Sequence, residues 1–208
     1  METGVKPNRR LPDDDLSKTR RRPPGRRIPG EEGIWVLIFG DLAVFAFIFG
    51  VYMYYRGAEP EVFMDAQRSL NQNFGAFNTV LLLVSSLLVV LAVHTVRTSN
   101  RRMAKFFLAG ALLCGLGFSA IKFVEYGQKF ADGIFPTTNS FFMYYFVLTG
   151  LHFFHVLIGM GVLLALIALS VKGELTDRHF SFFEGGACFW HMVDLLWIIL
   201  FPLVYLVK

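Results

Sequence analysis

The chain has 208 residues, of which 54% are hydrophobic and 23 are phenylalanine. Its mean hydropathy of +0.50 is far above that of an ordinary soluble domain, which excludes that class. The net charge is +4, but the basic residues are distributed as a membrane protein distributes them, so no nucleic-acid partner is expected. The two cysteines, Cys114 and Cys188, lie in apolar stretches and are too few for a disulfide framework or a zinc site.

Residues 1–33 form a polar arm with nine Lys or Arg residues, six Asp or Glu residues and almost no large apolar side chains. Prolines and glycines interrupt it at Pro23-Pro24-Gly25 and Pro29-Gly30. A segment of this composition cannot bury enough apolar surface to fold. We therefore predict a disordered, basic arm.

Five apolar stretches follow the arm, at about residues 34–55, 74–96, 104–126, 141–171 and 185–207. Each has at least the length of about 20 residues that a helix needs to cross a hydrocarbon core of about 30 Å. The predicted fold is an all-α membrane protein in which residues 34–208 form a bundle of five transmembrane helices.

The distribution of Lys and Arg predicts the orientation of the bundle. With the amino terminus inside and the carboxyl terminus outside, fifteen of these residues lie inside and five outside. The inner set includes the arm and the loop from Arg97 to Lys105, and the outer set includes Lys122 and Lys129 in the loop expected after the third span. The positive-inside rule favours this orientation, which makes the arm cytoplasmic.

Ionisable side chains within the spans are functional candidates, because burying a charge in a membrane is costly. His152 and His155 are three residues apart and should project from one face of the fourth span. His191 and Asp194 have the same spacing in the fifth span, where a hydrogen bond between them would lower the cost of burying both. Glu184 lies on that same face of the helix.

Two further acidic residues are expected to find partners on neighbouring helices. Asp41 lies about 10 Å along the first span, at a depth similar to that of His191 and Asp194, so these groups could meet within the bundle. Glu125 is near the outer end of the third span, where His152 on the antiparallel neighbour could reach it.

Four interpretations of these residues compete. Haem ligation needs one histidine from each of two facing helices, and a diiron site needs repeated Glu-x-x-His units, which the sequence lacks. A proton path could use the chain of acids and histidines, as in a freestanding proton-linked channel or transporter. The residues alone favour a structural role, in which these groups join the helices and hold a lipid headgroup or a partner.

Aromatic and small residues agree with a structural role. Trp190 and Trp197 are seven residues apart and form one stripe, which is more typical of packing or lipid contact than of a cofactor site. Glycines in the third and fourth spans should allow close approach of helices in lipid. They are Gly110, Gly115, Gly117, Gly159 and Gly161.

Several short motifs resemble subunit III of the haem–copper cytochrome c oxidases, over nearly all of residues 31–208. The most specific are Thr149-Gly150 with His152 and His155, and Glu184-Gly185-Gly186 leading into Trp190-His191-Met192-Val193-Asp194-Leu195-Leu196-Trp197. Two weaker motifs are Phe77-Asn78-Thr79 in the second span and Val124-Glu125-Tyr126 at the end of the third.

The resemblance implies a subunit without haem, metal or other cofactor and without a catalytic centre. It implies a haem-bearing catalytic subunit as the partner, contacts with membrane lipids, and a role in the assembly, stability and proton uptake of a respiratory complex.

The chain differs from that family in two ways. Larger members have seven helices, whereas this chain is predicted to have five, and members usually have Glu where this chain has Asp41. These differences resemble the branch found as a small accessory subunit beside bacterial nitric oxide reductases, which would place the chain in the bacterial cytoplasmic membrane. The partner could be an oxidase or a nitric oxide reductase.

Overall fold

The computed structural model describes residues 32–98, 101–171 and 177–207. Within these ranges it contains six α-helices. They are α1 (Glu32–Ala58), α2 (Pro60–Arg68), α3 (Gln72–Arg97), α4 (Arg101–Ala131), α5 (Ser140–Val171) and α6 (Asp177–Phe201). Residues Pro202–Leu206 continue α6 as a short π-helix.

Five of these helices, all except α2, are long and apolar enough to cross a membrane, which confirms the predicted number of spans. The chain is therefore a multi-pass membrane protein. The helices extend beyond the apolar stretches, since α4 continues to Ala131 and α6 begins at Asp177. The arm predicted at residues 1–33 lies outside the described residues, except for its last two, which begin α1.

Helix α2 occupies the connection between the first two apolar stretches, where no helix was predicted. Pro60 stands at its first turn, where the missing N–H of proline has no cost. Phe63, Ala66 and Leu70 recur at helical spacing and are buried, and the Phe63 ring meets those of Tyr52 and Phe141 edge-on. This periodicity was the available signal for an amphipathic helix.

Helices α3, α4, α5 and α6 form a closed ring in which each helix packs against the next, and α1 lies outside it against α5 and α6. The buried share of each apolar window rises from 11% in α1 to 56% in α6. Helix α6 is thus the central helix, and α1 has the face least covered by the rest of the chain.

The bundle has two ends, which we name by their connections. At the α2 end, α1 ends, α3 begins and α4 ends. At the opposite α3–α4 end, Arg97 ends α3 and α4 begins. Gly133, with a φ of 75°, ends α4 at the α2 end, and the N–H of Ile134 donates to the carbonyl of Lys129 at 2.9 Å. This is a Schellman arrangement, which needs a residue in the left-handed region.

The last turn of the chain is held by side chains from three other helices. Pro202 cannot donate a backbone hydrogen bond, and the π-helix begins at this residue. Side-chain donors from α1, α2 and the start of α3 bond to the backbone carbonyl groups of this last turn. Tyr52 donates to Leu203 at 3.3 Å, Gln67 to Val204 at 2.8 Å, Gln72 to Tyr205 at 3.0 Å and Arg56 to Val207.

Only some of the predicted glycine contacts are close. A Cβ atom at Gly159 would lie 2.6 Å from the Trp190 ring, so the absence of a side chain makes room for the indole. At Gly161 a Cβ atom would meet nothing within 4 Å, and the expected close approach is not present there.

Candidate functional site

A cluster of buried ionisable groups lies between α4 and the end of α6, in the half of the bundle nearer the α2 end. The Lys122 ammonium donates to Glu125 at 2.8 Å and to the Tyr205 hydroxyl at 2.8 Å. The Tyr205 hydroxyl in turn donates to the second Glu125 oxygen at 2.6 Å. These three residues, which we call the Lys122 triad, form a closed ring of hydrogen bonds with a net charge of zero.

Aromatic rings surround the ammonium group of this triad. The Lys122 nitrogen lies 4.8 Å from the centre of a Trp197 ring and 5.3 to 5.9 Å from those of Tyr205, Tyr145 and Tyr126. A desolvated cation over aromatic faces is stabilised by their quadrupoles. Since the Lys122 side chain has no exposed surface, charge pairing and cation–π contacts together replace water.

The triad corrects two expectations drawn from the sequence. Lys122 is buried inside α4, not part of an outer loop, and Lys129 is also buried, donating to the carbonyl of Ser69 at 2.6 Å. Glu125 pairs with Lys122 and Tyr205, so the predicted contact with His152 is wrong.

His152 has no exposed surface and packs on aromatic rings. Its ring centre lies 5.6 Å from that of Phe118 on α4 and 5.2 Å from that of Trp197 on α6. Neither ring nitrogen has a hydrogen-bond partner among the described residues. His155 instead contacts α1, so these two histidines serve different neighbours although they are three residues apart.

His155 and Asp41 form a contact between α5 and α1. His155 Nε2 lies 3.3 Å from an Asp41 oxygen, and its Nδ1 lies 2.8 Å from the Leu151 carbonyl oxygen. A carbonyl oxygen only accepts, so Nδ1 carries a proton. Nε2 faces the Asp41 carboxyl group, so this contact joins α5 to α1. Asp41 thus contacts His155. The expected contact of Asp41 with His191 or Asp194 is wrong.

Helices α3 and α6 are joined by a ladder of polar contacts. Trp197 donates its indole N–H to Thr79 at 3.0 Å, and Trp190 donates to Ser85 at 3.1 Å. His191 Nδ1 pairs with the Ser86 hydroxyl at 2.7 Å. From the Thr79–Trp197 contact to the Ser85–Trp190 contact the position rises along α3 and falls along α6, as antiparallel helices require. The stripe of two tryptophans is therefore buried packing with satisfied indole groups.

The ladder ends at the α3–α4 end of the bundle. There the Arg97 guanidinium donates to Glu184 at 2.6 Å. Nearer the middle, Ser85 also donates to the carbonyl of Ala111 on α4 at 3.0 Å, which links three helices through one hydroxyl.

Asp194 and Asn78 are buried without partners. Neither carboxyl oxygen of Asp194 and neither polar atom of the Asn78 amide has a hydrogen-bond partner among the described residues. The Ser86 hydroxyl is close enough to influence Asp194, but its hydrogen bond is to His191. The predicted pair of His191 with Asp194 is therefore wrong.

The part of the chain that the structure describes contains no assembled metal site. Within residues 32–98, 101–171 and 177–207, no group of three or more His, Cys, Asp or Glu side chains is placed to hold a metal ion.

Sequence reasoning missed several residues that complete these contacts. Tyr205, Thr79 and the Ser85-Ser86 pair carry the hydrogen bonds that satisfy the predicted residues. The spacing of Lys122 and Glu125, three residues apart on one helix, was the available signal for their pairing.

Comparison with known proteins gives a consistent result. The family model for cytochrome c oxidase subunit III matches residues 31–208. Cytochrome c oxidase subunit 3 of Struthio camelus is 34% identical over 131 residues, which are 62% of this chain and 48% of the relative. The proteins of the same name from Gallus gallus and Danio rerio are 34% and 35% identical over the same shares.

The matched region includes every polar contact described above. The chain spans about half the length of the curated relatives it matches. Because the family model covers all five long helices, the chain belongs to the cytochrome c oxidase subunit III family.

Proposed function

We propose that the chain is a non-catalytic subunit of a haem–copper respiratory complex, where it supports assembly, stability and proton uptake. The observation that carries this proposal is the match of residues 31–208 to the subunit III family. It agrees with the hydrogen bonds that the buried polar residues make between helices. The Lys122 triad, Trp190, Trp197 and Glu184 all bond to neighbouring helices. Groups that join helices in this way stabilise a bundle and are poorly placed to conduct.

We propose a haem-bearing catalytic subunit as the principal partner. The named relatives are cytochrome c oxidase subunits, and the face of α1 that no other described helix covers offers apolar surface for such a contact. Asp41 and the five-helix form are the features that suggest a nitric oxide reductase, and so a bacterial cytoplasmic membrane, as an alternative setting.

The proposed orientation keeps the amino terminus inside and the carboxyl terminus outside. The burial of Lys122 and Lys129 supports it, because neither residue then counts as an exposed cation on the outer side. In the sequence, Arg56, Arg68 and Lys208 remain on that side, against fifteen Lys or Arg residues on the inner side.

The contact between Asp41 and His155 supports the proposed role in proton uptake. A carboxyl group and an imidazole, the side chains that proton paths in membranes use, lie 3.3 Å apart there. The Asp41 side chain is 27% exposed, so a neighbouring subunit could contact it. Asp41→Asn keeps the size of the side chain but removes the carboxylate.

Co-purification tests the proposal directly. The chain, tagged at one end and expressed with the genes that neighbour its own, should bring down a large subunit with a haem spectrum. In the isolated complex, Asp41→Asn should slow turnover without changing that spectrum or the amount of bound chain, and Asp65→Asn at an exposed position is the matched control. A chain that purifies alone and conducts protons in liposomes would refute the proposal in favour of a channel or transporter.

A further inference from the structure

A polar pocket opens at the corner where α2 turns into α3, at the α2 end of the bundle. Its volume is about 580 Å³, which is within the range of sites that bind a ligand or a short segment of another chain. Its lining includes Met64, Arg68 and four residues with side-chain amides, namely Gln67, Asn71, Gln72 and Asn73. This composition differs from that of the apolar faces of the long helices.

Hydrogen bonds to the end of the chain hold two walls of the pocket in place. Gln67, of which only 5% is exposed, donates its side-chain amide to the carbonyl of Val204 at 2.8 Å. Gln72 donates in the same way to the carbonyl of Tyr205 at 3.0 Å. The pocket is therefore preorganised, which lowers the entropic cost of binding.

The amide side chains offer both donors and acceptors to a ligand. Because Gln72 uses its NH₂ group on Tyr205, its amide oxygen stays available as an acceptor. The Asn71 oxygen accepts from the backbone N–H of Asn73 at 3.0 Å, so the NH₂ group of Asn71 stays available as a donor. A peptide backbone carries N–H and C=O groups in the same alternation. The lining thus suits an extended peptide better than a hydrocarbon chain.

The electrostatics of the pocket favour a negatively charged group. The Arg68 side chain is 79% exposed, and one of its guanidinium nitrogens lies 3.3 Å from Asp65, which leaves further donors of its five for a ligand. The pocket also includes the first turn of α3, a helix of 26 residues with no acidic residue in that turn. The positive end of the helix dipole therefore adds to the charge of Arg68. A guanidinium beside a helix amino terminus matches a carboxylate.

We propose that this pocket binds an acidic, extended segment of a neighbouring protein chain, with a carboxylate at Arg68 and its peptide groups on the amide side chains. The site goes beyond the proposed function, which places the partner on the apolar face of α1 and assigns no ligand to this end of the bundle. A lipid phosphate would use the cation but not the donors and acceptors of the amides.

Site-specific cross-linking tests the proposal in the membrane. A photoreactive benzoylphenylalanine replaces Met64, which lines the pocket and is 41% exposed, in the full chain expressed with the genes that neighbour its own. Membranes are irradiated before purification, and mass spectrometry maps the cross-linked peptide. It should be a segment of another protein that contains Asp or Glu. The same photoreactive residue at Val62, which is 38% exposed on α2 but does not line the pocket, should not reach that segment.

Exchange of charges identifies the contact. Arg68→Glu should lower the yield of the cross-link from position 64 by about threefold or more, because it replaces an attraction with a repulsion. Changing the mapped acidic residue of the other protein to Lys should restore the yield with Arg68→Glu and lower it with the native Arg68. Arg68→Gln, which removes the charge without reversing it, should give an intermediate yield. Arg102→Glu, at an exposed position at the α3–α4 end, is the control and should leave the yield unchanged.

The proposal would be overturned by a mapped segment without an acidic residue, by a yield that Arg68→Glu does not change, or by a photoproduct formed only with lipid or with a second copy of this chain. The site and the proposed function fail separately. A haem-bearing subunit that co-purifies while the probe at position 64 reaches no other protein would overturn the site and leave the proposed function standing. An acidic segment mapped in membranes from which no haem-bearing subunit co-purifies would support the site and contradict the proposed function.

Discussion

The Lys122 triad and Asp194 are buried to a similar degree but differ in their partners. In the triad every charged atom has a hydrogen bond, and aromatic faces surround the ammonium group. The two Asp194 oxygens have no partner among the described residues. Burial alone therefore does not distinguish a structural charge from a group still in need of a partner.

The difference decides how each site should respond to mutation. Removing one member of a satisfied pair leaves the other charge buried and unpaired, which is strongly destabilising. Removing a group that has no partner abolishes a desolvation cost and breaks no contact. The two sites should therefore respond in opposite directions.

The largest effect is expected at the triad. Glu125→Leu leaves the Lys122 ammonium buried without its counter-charge, which should lower the free energy of unfolding by about 3 to 5 kcal/mol. The double change Lys122→Met with Glu125→Leu should recover most of that loss, because it removes both charges. Reversible unfolding of the purified chain in mixed micelles measures both values.

The control uses a second pair with the same spacing. Arg68 and Asp65 are also three residues apart, but their side chains are 79% and 77% exposed. Asp65→Leu should change the free energy of unfolding by no more than about 1 kcal/mol. If the double variant at the triad is as unstable as Glu125→Leu, the loss does not come from an unpaired Lys122 ammonium, and the charge-pairing argument is refuted.

The sequence predicted the number of spans, because apolar length is a local signal. It did not predict the partners of the buried polar residues. His191 and Asp194 are three residues apart on α6, yet His191 bonds to Ser86 on α3. Pairing between helices depends on the rotation of each helix about its axis, which is set by packing across the whole bundle.

The triad was missed for a related reason. Lys122 was counted among loop cations although it lies within the stretch predicted at about residues 104–126, and α4 continues beyond that stretch to Ala131. Its partner Tyr205 is 83 residues away in the sequence, on a π-helix that no local sequence pattern predicts. A charge inside an extended apolar helix is better interpreted as a group with partners than as part of a loop, and here one partner, Glu125, is near in sequence while the other, Tyr205, is distant.

A smaller and opposite effect is expected at Asp194. Asp194→Leu should raise the free energy of unfolding by about 1 to 3 kcal/mol, because it removes a buried group without a hydrogen bond. Asp194→Asn should have a smaller effect, since the amide stays polar. The same unfolding assay measures both changes.

Leu195→Ala, at the exposed neighbouring position, is the control for a change in apolar surface on α6. If Asp194→Leu destabilises the isolated chain, the Asp194 carboxyl group has a partner within the chain, which would contradict this prediction. Destabilisation that occurs only within the complex would place the partner of Asp194 on another subunit.

The smallest effect tests which residue His191 pairs with. Ser86→Ala and His191→Leu each remove one side of a 2.7 Å contact between α3 and α6. Their combined effect should differ from the sum of the single effects by about 0.6 kcal/mol, the coupling typical of hydrogen bonds between helices in a membrane. A cycle of His191→Leu with Asp194→Asn should show a smaller coupling than the first cycle, because these two side chains share no hydrogen bond. Coupling in the second cycle and none in the first would restore the pairing that the spacing on α6 had suggested.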